Sequence, residues 1–396
     1  MSPRLIAAVA LLAAAAPAPA GYIIDVLNPR TNPAIFDSWL FAINNGGQAT
    51  GYVGDRATGR YVPVIYQNGQ ITRLTPLSPT APYYANLGAS INNRGQVVGP
   101  SGFGNPFLSG PGGLTTPLPA PAGTSIAGYG LLARINDRGD VFVPGYNDDF
   151  PNRLVLVRDG VPTALPAFDP LFTNGDPDTG DGYTYLDRNT WLTNSGLTAG
   201  LVDRLTLDPT DPDVVNDNFT GYVFDLLGGT YRQLAGVQAG DYVRPLDIDQ
   251  DGTVLGFSTR AGGGDLGLWN ADGSLRQVLP TPAGGFLLDA PYSGSFAQRN
   301  NLGQVLALSA AGGLLSYQDG RWADLTGQVA GLGGFRFDSL QDLNDRGQFV
   351  GLVNVGGGSY FGYVVTPVPE PASVVLLGLG VAGLAAGRRR LRPATP

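Results

Sequence analysis

The acidic loops hold most of the chemistry this sequence could support. Asp247-Ile248-Asp249-Gln250-Asp251-Gly252 places carboxylates at its first, third and fifth positions and glycine at the sixth. That is the first half of a calcium loop, although Ser258 stands where a bidentate acid would close it. Asp176, Asp178 and Asp181, interspersed with Gly180 and Gly182, offer a second set of hard oxygen ligands, and Asp208, Asp211, Asp213 and Asp217 a third. The plainer alternatives are a structural turn for the first set and solvated, proline-punctuated loops for the others. Trp191, Trp269 and Trp322 could stack on sugar rings or simply fill a core.

What is missing narrows the field further. All 24 basic residues are Arg, Glu370 is the single Glu among 32 acids, and Lys, His and Cys are absent. Without His or Cys there is no imidazole base, thiol nucleophile, disulfide or thiolate zinc site. A glycan hydrolase would need two Asp from distant parts of the chain, and no motif selects a pair. The glycine-rich stretch at Ala261-Gly262-Gly263-Gly264 has no strand-to-helix context and reads as loop, not phosphate cradle. The expectation is therefore a protein that is not an enzyme and has no cofactor, with calcium in the acidic loops as the alternative.

The elements that would carry these loops come from a repeat. An apolar-Asn-Asn/Asp-x-Gly-x-apolar-x-Gly turn recurs, most clearly at Ile91-Asn92-Asn93-Arg94-Gly95-Gln96-Val97-Val98-Gly99 and Leu343-Asn344-Asp345-Arg346-Gly347-Gln348-Phe349-Val350-Gly351. Its glycines are Gly47, Gly95, Gly139, Gly196, Gly252, Gly303 and Gly347, spaced by 48, 44, 57, 56, 51 and 44 residues. Three residues before each glycine stands Asn, Thr or Asp, able to bond its side chain to the turn backbone while Gly takes the left-handed conformation. Between copies lies a second hairpin signal, as at Asn68-Gly69, Asp159-Gly160, Asp272-Gly273 and Asp319-Gly320. Two hairpins per unit give four strands, and about 40 to 50 residues per unit predicts an all-β, seven-bladed β-propeller-like domain. The seventh unit lacks one strand, which Tyr22 to Leu27 at the other end could supply. The two longer spacings come from insertions, Phe168 to Leu186 and Asp208 to Asn218, expected as loops.

Both ends read as addresses. Arg4, the apolar run Leu5 to Ala16 and Ala18-Pro19-Ala20 form a signal peptide over 1–20, with Gly21 as the new N-terminus. Ala372 to Gly387 is an uncharged helix-forming run of 16 residues, about 24 Å long, between Pro369-Glu370-Pro371 and Arg388-Arg389-Arg390. The arginines would stay cytoplasmic and everything before them outside. Between the two addresses, residues 21–366 carry 19 Arg against 31 Asp, a net charge of −12, which disfavours nucleic acid and anionic lipid as partners.

The tail, residues 367–396, resembles the PEP-CTERM sorting signal in its order of tripeptide, apolar helix and basic end. The resemblance implies a Gram-negative source, transient inner-membrane insertion through the helix, processing by an exosortase near Pro-Glu-Pro, and delivery to the envelope or extracellular matrix. A plain C-terminal membrane anchor is the alternative. The repeats resemble HAF-type bacterial extracellular repeats, with departures in the third, fourth and sixth copies. The expected role is an exported component that contacts exopolysaccharide or surface proteins. A calcium-stabilised adhesion module and an Asp-dependent carbohydrate enzyme are the other readings.

Overall fold

The computed structural model describes residues 21–368 apart from short stretches, the longest of them 78–86, 127–131, 146–152, 172–182 and 289–294. The signal segment 1–20, Asp176, Asp178 and Asp181, the sorting residues Pro369, Glu370, Pro371 and Arg388 to Arg390, and the apolar run 372–387 lie outside the described residues. Among the described residues no helix is long and apolar enough to cross a membrane.

The described chain is all-β, its regular structure otherwise being short 3-10 turns such as Pro166–Leu171. After β1 (Gly21–Val26) come four-strand sets. The first is β2 (Ile35–Ile43), β3 (Ala49–Asp55), β4 (Arg60–Gln67) and β5 (Gln70–Arg73). The second is β6 (Ser90–Ile91), β7 (Val97–Ser101), β8 (Gly104–Ser109) and β9 (Thr115–Pro117). The third is β10 (Arg134–Ile135), β11 (Val141–Gly145), β12 (Arg153–Arg158) and β13 (Val161–Ala164). The fourth is β14 (Tyr183–Asn189), β15 (Leu197–Asp208), β16 (Asp211–Asp225) and β17 (Thr230–Gln233). The fifth is β18 (Tyr242–Ile248), β19 (Val254–Arg260), β20 (Gly263–Trp269) and β21 (Leu275–Val278). The sixth is β22 (Ala297–Arg299), β23 (Val305–Leu308), β24 (Leu314–Gln318) and β25 (Arg321–Asp324). Then follow β26 (Val329–Ala330), β27 (Arg336–Leu343), β28 (Phe349–Asn354) and β29 (Tyr360–Val368). Each four-strand set is an antiparallel meander, and the second to sixth form separate sheets.

The remaining strands share one nine-stranded sheet in which β2 to β5 meet β27, β28, β29 and β1 through a single parallel bridge, Ser38 to Phe361. The N-terminal strand β1 lies antiparallel on β29 from Gly21↔Val368 to Val26↔Tyr363, so the last set draws its outer strand from the start of the chain. The β29 strand runs to Val368, two residues beyond the boundary at 366 read from the sequence, because Pro367 and Val368 pair with Tyr22 and Gly21. The insertion Asp208 to Asn218 is not a loop: β15 and β16 pair continuously from Leu197↔Asp225 to Leu207↔Val215, extending the hairpin by strand pairing.

The turns explain why the motif takes the residues it does. In the first copy the Asn44 backbone N–H donates to Gln48 O and Gly47 N–H to Asn44 O, both at 2.9 Å, a type I turn closed by a left-handed glycine. All seven motif glycines have φ between 72° and 89°. Asn44 Oδ1 accepts the N–H groups of Gly46 and Gln48, and the same pair of bonds recurs at Asn92, Asn136, Asn300 and Asn344. The second glycine serves a different need: a Cβ on Gly51, Gly99 or Gly351 would run into the carbonyl oxygen of Trp39, Leu87 or Ser339 on the neighbouring segment. In the outer hairpins Asn68-Gly69, Asp159-Gly160 and Asp319-Gly320 have positive φ at both residues, the type I′ turn that suits strand twist.

The apolar core lies between successive sets. Val98 of the second packs with Val141 and Val155 of the third. Phe257 and Leu268 of the fifth pack with Phe296 and Ala307 of the sixth. Leu40 and Val53 of the first pack with Val350 and Val364 of the last. Burial at both ends of the chain therefore depends on the order being circular.

Candidate functional site

The residue after each motif Asn, Thr or Asp ties the turns into a ring. Asn45 N–H donates to Asn93 Oδ1, Asn93 to Asp137, Asp137 to Asn194, Asn194 to Gln250, Gln250 to Asn301, Asn301 to Asp345, and Asp345 back to Asn45, all at 2.7 to 2.9 Å. A second, deeper set of bonds runs from the motif side chains. The Nδ2 groups of Asn44, Asn92, Asn136, Asn300 and Asn344 donate to the carbonyl of the next motif residue, Asn344 closing onto Asn44 O at 2.8 Å. Thr193 and Asp249 have no amide N–H to give, so these two links are not made by that route.

Inside this ring is a cavity of about 320 Å³ to which every copy contributes lining. Two residues before the motif side chain the seven copies present Ala42, Ser90, Arg134, Trp191, Asp247, Gln298 and Asp342, of which Trp191, Asp247 and Asp342 line the cavity. Three of the seven clasp the neighbouring set by accepting a backbone N–H: Ser90 Oγ from Ile135 at 3.4 Å, Asp247 Oδ2 from Arg299 at 2.9 Å, and Asp342 Oδ2 from Ile43 at 2.6 Å. One residue further along, six copies carry Ile or Leu and the sixth carries Arg299. The Arg299 side chain is 10% exposed and forms an ion pair with Asp249, the residue that stands where most copies have Asn.

These groups sit out of water, and their acidities move accordingly. Burial raises the Asp342 carboxyl to about 7, opposed by the N–H groups of Ile43 and Leu343 and by the charge of Arg134. Burial, reinforced by the charge of Asp342, holds Asp247 well above the ordinary carboxylate range against the N–H groups of Arg299 and Ile248. Burial lowers Arg134 to about 10, with Asp342 acting against the shift. The Arg134 guanidinium lies 5.7 Å from the centroid of the half-buried Trp191 ring, within cation–π range.

The residues singled out from the sequence are distributed unevenly around this site. Asp247 lines the cavity, Asp249 is committed to Arg299 and to the N–H of Thr253, and Asp251 accepts the N–H and hydroxyl of Thr253. Among the described residues no group of three or more acidic side chains is placed to hold a metal ion. Of the tryptophans, Trp191 lines the cavity. Trp269 is fully buried and donates Nε1–H to Ala235 O at 2.7 Å, while Trp322 packs on Phe286 and Tyr317. Arg134, Arg299 and Asp342 were missed by reading the sequence. Arg299 had left a signal there as the one non-aliphatic residue at its register position.

A closed ring of β-hairpin turns around a polar cavity, carried by antiparallel four-strand sets, defines an all-β ring-closed protein with a ligand-sized site at its centre. At its C-terminal edge, residues 367–390 match the PEP-CTERM protein-sorting motif. That motif marks a protein exported to the cell envelope through an exosortase, and its first two residues, Pro367 and Val368, are the last two of β29. No curated protein matches the chain. Among solved structures, virginiamycin B lyase from Staphylococcus aureus is similar at 10% identity and a TM-score of 0.46, over 87% of this chain and 99% of that one. Dipeptidyl peptidase 4 from Porphyromonas gingivalis is similar at 10% identity and a TM-score of 0.45, over 88% of this chain and 52% of that one.

Proposed function

We propose that the mature protein is a seven-bladed β-propeller built from HAF-type repeats and displayed in the envelope or extracellular matrix as a non-catalytic binding component. Its partner in this reading is exopolysaccharide or another surface protein. The observation that carries the proposal is the pairing of Gly21 with Val368. Cleavage after Ala20 and near Pro369-Glu370-Pro371 leaves the outer strand of the seventh blade intact, so the domain can be released complete. The absence of His, Lys and Cys, with Glu370 outside the domain, supports binding over turnover.

The experiment is fractionation of the source bacterium, followed by mass spectrometry of both ends of the mature chain. Co-sedimentation of the purified 21–368 domain with the source's own matrix polysaccharide follows. The expected result is a chain starting at Gly21, lacking the Arg388 to Arg390 tail, recovered with matrix. An intact tail on surface protein, or a domain left entirely in the supernatant, refutes the proposal.

A further inference from the structure

The seven copies build their ring with interchangeable clasps, and this isolates what the ring does not need. Ser90 accepts the N–H of the next set with a neutral hydroxyl. Asp247 and Asp342 make the equivalent bond with carboxylates, 1% and 7% exposed, at the desolvation cost of acids. A carboxyl group at these two positions is thus surplus to closure. Both carboxylates line the same cavity, as do the half-buried Asp137 and Asp345.

The cations close by are already engaged. Arg299 is paired with Asp249, and Arg134 lies over Trp191 under the attraction of Asp342. The cavity therefore presents four carboxylates against the single lining cation Arg299. Its neighbourhood already shows the chemistry it favours, in the protein's own guanidinium held between an indole face and an acid. A second observation points to a ligand. The Nε–H of Arg299, nine-tenths buried and lining the cavity, has no acceptor among the described residues. It offers a hydrogen to an oxygen, while the Asp247 and Asp342 oxygens, each already accepting one backbone N–H, keep a second lone pair apiece. Asn45, Asn93, Gln250 and Asn301 add polar side chains to the lining, their amide oxygens each accepting a backbone N–H of the ring and keeping a second lone pair for a hydroxyl group.

We infer that the central cavity binds a hexose-sized sugar carrying a free, protonated amino group, its ammonium between Asp247 and Asp342 and a hydroxyl oxygen on the Arg299 Nε–H. A volume of about 320 Å³ admits one such unit, either as a free monosaccharide or as the end of a chain. The inference deepens the proposed function by naming the unit recognised, and rests on it for the source of the ligand.

The test is calorimetric titration of the 21–368 domain with D-glucosamine, glucose, N-acetylglucosamine and ethanolamine, and with a chitosan tetramer to separate chain end from free sugar. Glucosamine is expected to bind at least about tenfold more tightly than glucose, N-acetylglucosamine or ethanolamine. Asp247→Ser and Asp342→Ser keep the clasp that Ser90 demonstrates and remove the charge, so both are expected to fold, to melt cooperatively and to lose that preference. Binding of the tetramer as tightly as the monomer places a chain end in the cavity, and tighter monomer binding assigns the site to free sugar. Absence of glucosamine binding, equal binding of glucose, equal binding of ethanolamine, or full affinity in the two Ser variants overturns the inference. If the Ser variants still co-sediment with matrix polysaccharide, the proposed function stands while this inference falls.

Discussion

Replacing Asn92 with Ala removes one stitch of the ring and its cost can be worked from the bonds lost. Asn92 is 3% exposed. Its Oδ1 accepts the N–H groups of Arg94 at 3.1 Å and Gln96 at 3.0 Å, and its Nδ2 donates to Asn136 O and Gln96 Oε1, both at 2.9 Å. Asn136 O keeps the N–H of Gly139, and Gln96 is able to turn to water, so the lasting damage is two amide N–H groups without acceptors. At about 1 to 1.5 kcal/mol for each, plus a small void, the loss is about 3 kcal/mol. Asn92→Asp keeps the acceptors but loses the donor and adds a buried charge with no arginine in the place Arg299 holds for Asp249, so it should cost at least as much. Thr193→Asn is the converse. Thr193 Oγ1 gives one acceptor to Leu197 N–H, and Asn would add a second acceptor and a donor toward Asp249 O, a gain of about 1 kcal/mol. Urea unfolding at constant slope measures all three. A loss under about 1 kcal/mol for Asn92→Ala, or a Thr193→Asn variant less stable than the parent, would refute the account of the ring as the sum of these bonds.

Deleting Gly21 to Asn28 removes β1 and the burial of Tyr22, Ile24, Val26 and Leu27, worth roughly 6 to 12 kcal/mol at 1.5 to 3 kcal/mol per side chain. That is comparable with the whole stability of an ordinary domain, so the truncated chain should show no cooperative melt, and an unchanged thermal midpoint would count against closure by β1. Asp342 sets the response to pH. Its carboxyl ionises near 7 when folded and near 3.8 when unfolded, so between these values the folded state holds a proton the unfolded chain has released. Stability is therefore greatest below the unfolded value and falls as pH rises through 7, by roughly 4 kcal/mol at most, and Asp247 acts in the same direction. Calorimetric melting from pH 5 to 8 should show the midpoint falling and the fall shrinking in Asp342→Ser; a midpoint that rises with pH would be decisive against it.

Those features that are local in the chain were legible in the sequence. The Asn-x-x-Gly turns, the Asn-Gly and Asp-Gly outer hairpins and the strand at Tyr22 to Leu27 each announce themselves within a few residues. The site is not local. Trp191, Asp247 and Asp342 come from three copies and look like scatter at a position where no two neighbouring copies agree. They share one cavity only because the ring closes, and closure is a property of the whole chain. The acidic run Asp247 to Asp251 divides its roles for a related reason. Its spacing fits a cation loop, yet β18 places Asp247 toward the centre, the turn keeps Asp251 for Thr253, and Asp249 faces Arg299 of the following copy. Asp208 to Asn218 read as a loop because Asp and Asn are poor strand formers, whereas register with β15 overrode that preference.

The departures from sevenfold regularity separate into two kinds, and the distinction bears on which of them serve function. Asp249 replaces Asn in the fifth copy, and Arg299 replaces Ile or Leu in the sixth, one position from the site of the missing amide bond. The two substitutions meet as an ion pair, so one link of the ring is remade with charges in place of an amide and a carbonyl. Each departure is explained by the other, apart from the Arg299 Nε–H left over. No such mutual repair accounts for Asp247 and Asp342. Both line the same cavity, the charge of Asp342 raises the proton affinity of Asp247, and Ser90 shows the clasp made without them. A stabilising ring built by repetition would have kept serine there. Buried acids that closure does not require are the residues at which selection for binding, and not for folding, is expected to have acted.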